Sequence, residues 1–152
     1  VRLAVTGIRA AGLATELASA RRMLESARIQ FNYSLQDVKL EPAQETALAL
    51  VVREAVTNIQ RHARARAVSV SLEASNGRAR MQICDDGHGG EIVPGNGVNG
   101  MRERIEGLEG KLQIGSRRGE GTRIDIEFPI SSDVNEVSRS GAGKPISMQW
   151  NS

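Results

Sequence analysis

Aromatic residues are the scarcest class in this sequence, 3% of the chain, with one Trp, one Tyr and two Phe. A core must therefore be assembled from Leu, Val, Ile, Ala and Met. Cysteine occurs once, at Cys84. That excludes an intramolecular disulfide and fits a reducing compartment. His62 and His88 are the only two histidines, and with one cysteine they make a poor inventory for a transition-metal centre. No run approaches the roughly 20 apolar residues of a membrane span, and no signal-peptide pattern is present. Direct membrane contact is not expected. A net charge of +2 is too small to argue for a nucleic-acid partner.

What is present is ordinary globular sequence. The chain has 152 residues, 39% hydrophobic and 25% charged, enough for one domain with a proper core. Leu13, Leu17, Ala20, Leu24 and Ala27 recur at helical spacing and predict a helix over 11–29. Phe31, Tyr33 and Leu35 alternate with polar residues, as in a half-buried strand over 31–36. Pro42 suits the first turn of a second helix that runs to about His62. Val68, Val70 and Leu72 alternate with polar residues. Asn76-Gly77 then signals a hairpin, and Ala79, Met81 and Ile83 alternate in turn.

Beyond the hairpin, residues 87–100 read as a glycine-rich loop and 101–108 as a short helix. Leu112 and Ile114 lie on a strand, 115–121 form a turn, and Ile124, Ile126 and Phe128 alternate on a last strand. Strands with one apolar face need helices on that face only. The expected fold is a two-layer α/β sandwich, with a mixed, largely antiparallel sheet covered on one face by helices. Residues 131–152 lose all pattern and read as a flexible tail.

Four segments carry candidate chemistry. Glu54, Asn58 and His62 are spaced by four, so one helical stripe holds them, with Arg61 beside it. Asp85 continues the buried parity of Ala79, Met81 and Ile83. A carboxylate there is costly unless a donor meets it, and a purine amino group is such a donor. Gly87 and Gly89 let the backbone turn sharply and approach a ligand. Gly97 and Gly100, followed by Met101, precede a helix start whose free N–H groups suit an anion. Gly119, Gly121 and Thr122 offer a tight turn and a hydroxyl at the last strand. Each motif alone has a plainer explanation: a solvated helix face, an Asp-Gly turn, a surface loop, a hairpin.

Their order is more specific than any one of them. Arg53-Glu54-Ala55-Val56-Thr57-Asn58-Ile59-Gln60-Arg61-His62-Ala63 resembles the asparagine box of the GHKL ATPase superfamily. Asp85 to Gly89 matches its Asp-x-Gly-x-Gly box, and Gly119-Glu120-Gly121-Thr122 its closing glycine box. Gly97-Val98-Asn99-Gly100-Met101-Arg102-Glu103-Arg104 resembles the lid of the histidine kinase branch that includes nitrate sensors and the lipid-thermosensor kinase. The resemblance spans about 13–130.

It implies a Bergerat-type ATP-binding fold and the catalytic domain of a sensor histidine kinase, with ATP and Mg²⁺ as cofactors. By that resemblance Asn58 holds Mg²⁺ and Glu54 polarises the incoming nucleophile or a metal-bound water. Asp85 accepts from the adenine amino group, and Gly87 and Gly89 shape its pocket. Gly97, Gly100 and Met101 belong to the lid, and Arg61 and His62 approach phosphates. Gly119, Gly121 and Thr122 close the site, Thr122 touching phosphate or supporting Asp85. Asp86 stands where other branches often have asparagine.

No histidine precedes the asparagine box. The chain alone is therefore expected to bind ATP without autophosphorylating and to be monomeric. Its partner would be the dimerisation and phosphoacceptor helical bundle, of which 1–10 are the last turns, and a response regulator would follow indirectly. The implied location is cytoplasmic, many parent kinases being anchored in the inner membrane. An anti-sigma-factor serine kinase shares two of the boxes, and a non-catalytic nucleotide-binding module would keep the pocket. The Gly-Met-Arg-Glu-Arg lid weighs against the first, and Glu54 with Asn58 against the second.

Overall fold

A computed structural model describes residues 12–87 and 96–130, with the backbone only at 62, 63, 96 and 97. In chain order the elements are α1 (Gly12–Ser26), β1 (Gln30–Leu35), α2 (Pro42–Asn58), a π-helical turn (Ile59–Ala63), β2 (Ala67–Ser75), β3 (Arg78–Asp85), α3 (Asn96–Glu106), β4 (Lys111–Arg117) and β5 (Gly121–Pro129). The five strands form one sheet in the order β1-β2-β3-β5-β4. β1 runs parallel to β2, and every other pair is antiparallel. This is the mixed, largely antiparallel sheet that the alternating patterns predict.

Parity along the strands decides which face is covered. Val68, Val70 and Leu72 of β2, Ala79, Met81 and Ile83 of β3, and Ile124, Ile126 and Phe128 of β5 are all buried. Leu17 and Leu24 of α1, Leu48, Val51 and Val52 of α2, and Ile105 of α3 pack over them. Burying one such side chain is worth about 1.5–3 kcal/mol, so this aliphatic layer supplies the main driving force. The opposite face is polar. There Gln82 Nε2 donates to Asp125 Oδ1 at 2.7 Å, and Arg123 Nε reaches Asp125 Oδ2 at 3.1 Å. Arg78 pairs with Glu127 on the same face at 2.9 Å.

The hairpin between β2 and β3 closes through Asn76 and Gly77, at φ 53° and 74°. Two consecutive positive φ values are what a two-residue hairpin turn of the I′ type demands.

Four expectations from the sequence need correction. Helix α1 ends at Ser26 rather than near Ile29: Arg28 takes φ 63° and Ile29 N–H turns back to Leu24 O at 2.8 Å, redirecting the chain into β1. Of the strand face Phe31, Tyr33 and Leu35, only Phe31 is buried, while Tyr33 is 44% and Leu35 37% exposed. β1 is an edge strand, and Tyr33 is flanked by the Phe31 ring, 5.8 Å between centroids, and by the Arg21 guanidinium, 5.4 Å over its ring. Gly115 and Ser116 belong to β4, paired with Arg123 and Thr122, so the turn is only 118–120.

The fourth correction concerns 96–100, read as loop but helical. Val98, Met101, Ile105 and Leu108 fall at spacings of three and four and pack on the core. That stripe outweighs the low helix propensity of Gly97 and Gly100.

Candidate functional site

Three of the four motif segments reach one end of the sheet by topology. β3 ends at Asp85, β5 begins at Gly121, and β2 begins at Ala67, a few residues beyond the turn that finishes the α2 segment. Asp85 pairs with Thr122 on one side and Val68 on the other. The C-terminal end of α3 lies by Pro42 and Ala43, where Glu103, Arg104 and Leu108 line a groove of about 510 Å³ with the start of α2. The N-terminal end of α3, carrying Gly97 and Gly100, lies at the opposite end of that helix from the groove. Of the residues singled out from the sequence, only Pro42 and the last two of the lid motif, Glu103 and Arg104, line that groove, and none of those given a binding or catalytic role does.

Asp85 is the focus. Its side chain is buried, as parity predicts. Oδ1 accepts the Gly87 N–H at 2.7 Å. Burial pushes its carboxyl above the usual carboxylate range. The Gly87 N–H opposes this, the neighbouring Asp86 charge adds to it, and the Thr122 backbone N–H opposes it. Gly121 is fixed by contact: it sits at φ 88°, and a Cβ there would lie 1.9 Å from the Asp85 carbonyl oxygen. Only glycine lets β5 start this close to the end of β3. Gly119 takes φ 82° in the turn before it.

The Thr122 hydroxyl lies 3.0 Å from Ser116 Oγ on β4. Thr122 is thus held from the strand opposite the one carrying Asp85. Ser116 carries no signal in the sequence, which places it in a turn rather than on β4.

Glu54 and Asn58 lie one turn apart on α2 and are half-buried. Neither side chain makes a hydrogen bond among the described residues. The stripe expected to run on to His62 does not do so unchanged. After Asn58 the helix widens to i→i+5 bonding over Ile59–Ala63, ending at Arg64 with φ 53°. A π turn advances fewer degrees per residue, so the backbone at His62 falls off the line through Glu54 and Asn58. Such turns are frequent at functional sites. Arg61 is exposed on this turn.

Met101 is buried in the core. Gly97 and Gly100 lie within the first turns of α3. Gly89 and His88 lie outside the described residues.

The residue whose role the sequence left open is Asp86. Its Oδ1 accepts both the Arg66 N–H at 2.7 Å and the Ala67 N–H at 2.9 Å. These two donors, Ala67 first, hold its carboxyl below the usual range.

Among the described residues no group of three or more His, Cys, Asp or Glu side chains could hold a metal ion alone. An amide oxygen such as that of Asn58 suits a hard cation that takes most of its shell from phosphate and water. The half-buried Asn58, with no side-chain hydrogen bond among the described residues, and the buried Asp85, with one oxygen bonded to Gly87, fit Mg²⁺ and a purine respectively.

Residues 43–132 match the family model described as histidine kinase-, DNA gyrase B-, and HSP90-like ATPase. The chain is 32% identical to the sensor histidine kinase YvfT of Bacillus subtilis (strain 168) over 134 residues, covering 86% of this chain and 36% of that protein. It is 29% identical to the sensor histidine kinase DesK of the same organism over 138 residues, covering 87% of this chain and 37% of that protein. The chain thus spans little more than a third of the length of these two relatives. The histidine kinase domain of a blue-light activated histidine kinase from Erythrobacter litoralis EL346 superposes with a TM-score of 0.70 at 21% identity. That match covers 84% of this chain and 63% of that one, and shows that the fold is shared.

Proposed function

The chain belongs to the histidine kinase-, DNA gyrase B-, and HSP90-like ATPase family, and from that premise we propose that residues 11–130 form the ATP-binding catalytic domain of a two-component sensor histidine kinase. Its reaction is transfer of the ATP γ-phosphoryl group to a histidine on a separate dimerisation domain. The observation that carries the reading is the buried Asp85 at the end of β3, next to the start of β2 to which the Asn58 segment leads, with no hydrogen bond from the Asn58 side chain among the described residues. The lid sequence Gly97-Val98-Asn99-Gly100-Met101-Arg102-Glu103-Arg104 supports the nitrate-sensor and lipid-thermosensor branch.

In this reading Asp85 accepts the adenine amino group, selecting adenine over guanine. Gly87 and Gly89 leave room for the base, and Gly121 keeps the pocket floor closed against β3. Asn58 offers its amide oxygen to Mg²⁺, and Glu54 orients the incoming imidazole or a water. Gly97 and Gly100 let the start of α3 approach the phosphates with free backbone N–H groups, Arg61 and His62 lend charge, and Thr122 steadies the Asp85 end of the sheet. Bound Mg²⁺ supplies charge neutralisation on the phosphates. The protein's share is positioning and exclusion of water, which is most of what phosphoryl transfer asks of it. The partner is the phosphoacceptor helical bundle, with a response regulator downstream.

Calorimetric titration of Mg²⁺-ATP into the chain, Asp85→Asn and Asn58→Ala tests this. Asp85→Asn is expected to lose ATP binding and Asn58→Ala mainly its Mg²⁺ dependence. Added phosphoacceptor bundle should then be labelled on histidine by the unaltered chain. No nucleotide binding, or full binding by both folded variants, would sink the reading. Labelling of a serine instead would move it to the anti-sigma kinases.

A further inference from the structure

The sheet end that carries Asp85 and the helix end that carries Asn58 are separate pieces of chain, and something must fix their distance. The β5 side is fixed by the close approach of Gly121. On the β2 side the ladder reaches only Val68↔Asp85. Beyond it stand Arg66 and Ala67, separated by Ala65 alone from Arg64, whose φ of 53° ends the π turn. Strand β1 also starts from this point, with Gln30 N–H donating to Arg66 O at 2.9 Å. These residues bring three elements together.

We propose that Asp86 is a positioning residue that ties the Asn58 end of the helix to the Asp85 end of β3 through one carboxylate oxygen. That oxygen takes both the Arg66 and the Ala67 amide, and Asp86 N–H returns a bond to Ala67 O at 3.3 Å. The result is a closed clamp across the two chain segments. The clamp sits one residue from Asp85 and one residue from Gly87, the donor to Asp85 Oδ1. Displacing the Asp86 backbone therefore displaces both members of that hydrogen bond. Because a single oxygen does the accepting, the clamp needs an acceptor and not a charge. An asparagine amide oxygen can do the same work, whereas alanine cannot.

This inference rests on Asp85 being the adenine-binding carboxylate, so its test has a readout that needs no nucleotide. The amide of Gly87 reports Asp85 geometry, and its exchange with solvent can be followed by NMR in the free chain. In Asp86→Ala the Arg66 and Ala67 amides lose an acceptor directly and must exchange faster. The discriminating signal is Gly87, expected to lose protection about tenfold in Asp86→Ala and to keep it in Asp86→Asn. ATP affinity should follow the same order, about tenfold weaker in Asp86→Ala and within about threefold of the parent in Asp86→Asn. In an Asp85→Asn background, Asp86→Ala should add little further loss, since it acts through Asp85.

Unchanged Gly87 protection in a folded Asp86→Ala protein overturns the proposal. So does an Asp86→Asn protein as impaired as Asp86→Ala, which would make the charge the active feature. If the parent binds no nucleotide, the ATP reading fails, and Gly87 exchange alone decides the clamp.

Discussion

Gln44 and Asn58 are both amide side chains on α2, at opposite ends of one helix, and they are used in opposite ways. Gln44 is fully spent: Oε1 accepts the Glu41 N–H at 2.8 Å and Nε2 donates to Pro129 O at 3.1 Å. Its neighbour Glu45 takes the Leu13 N–H at 3.1 Å, capping α1 from the side. Asn58 makes no side-chain hydrogen bond among the described residues, and beyond it the helix loses its α geometry. The start of α2 is thus bolted to α1 and to the end of β5, while at its far end Glu54 and Asn58 make no side-chain hydrogen bond among the described residues. Half-buried polar groups without a protein partner keep their hydrogen-bonding capacity for water or a ligand. The difference assigns stability to one end of the helix and, in the proposed reading, chemistry to the other.

The strongest test of that division is in the core between the two ends. Leu48 is fully buried, and Leu48→Ala should cost about 2–5 kcal/mol in chemical denaturation. A smaller loss would mean that the helix layer is less tightly packed than its burial implies. Next comes Gln44→Ala, which strands the Glu41 N–H and the Pro129 carbonyl together. A loss of about 1–3 kcal/mol is expected, with ATP affinity unchanged. A variant that kept its stability would remove the basis for calling this end bolted. Asn58→Ala should do the reverse, altering stability by no more than about 0.5 kcal/mol, since it breaks no internal bond and alanine favours helix. A larger destabilisation would show that Asn58 has an internal structural role.

The same division explains how much could be read in the sequence. Where one residue's identity decides local geometry, reading succeeds. Asn76-Gly77 forces its hairpin, and Asp85 follows from the parity of its strand. The apolar stripes of α1 and α2 are legible for the same reason. What escaped depends on residues far apart in the chain. Asp86 contacts Arg66 and Ala67 some 20 positions back, and Ser116 meets Thr122 only because β4 pairs with β5. The glycines at 97 and 100 misled because propensity is local, while the Val98, Met101 and Ile105 stripe works through tertiary packing. The π turn after Asn58 has no composition of its own to announce it.

A small, pH-dependent effect is expected at Asp85 itself, and it tests whether the site end gives up stability for function. Burial holds its carboxyl above the usual range in the folded chain. Between the unfolded and folded values the folded state binds the extra proton, so stability falls as pH rises through that window. Above it the cost of a buried carboxylate is fully present. Asp85→Asn removes that cost and can still accept from Gly87 through its amide oxygen. At neutral pH the variant should therefore be as stable as the parent or more so, by less than about 1 kcal/mol, although it loses ATP. As pH falls through the folded value into the usual carboxylate range, this advantage should shrink. Asp86, whose carboxyl is held low by the Ala67 and Arg66 amides, acts with the opposite sign. It loses its contribution only at still lower pH, and is present in both proteins, so to first order it cancels in the difference. Denaturation midpoints of the two proteins across the acid range would measure it. An Asp85→Asn protein less stable than the parent at neutral pH would mean that the carboxylate contributes to the fold, and the contrast between the two ends of α2 would not extend to the strand they face.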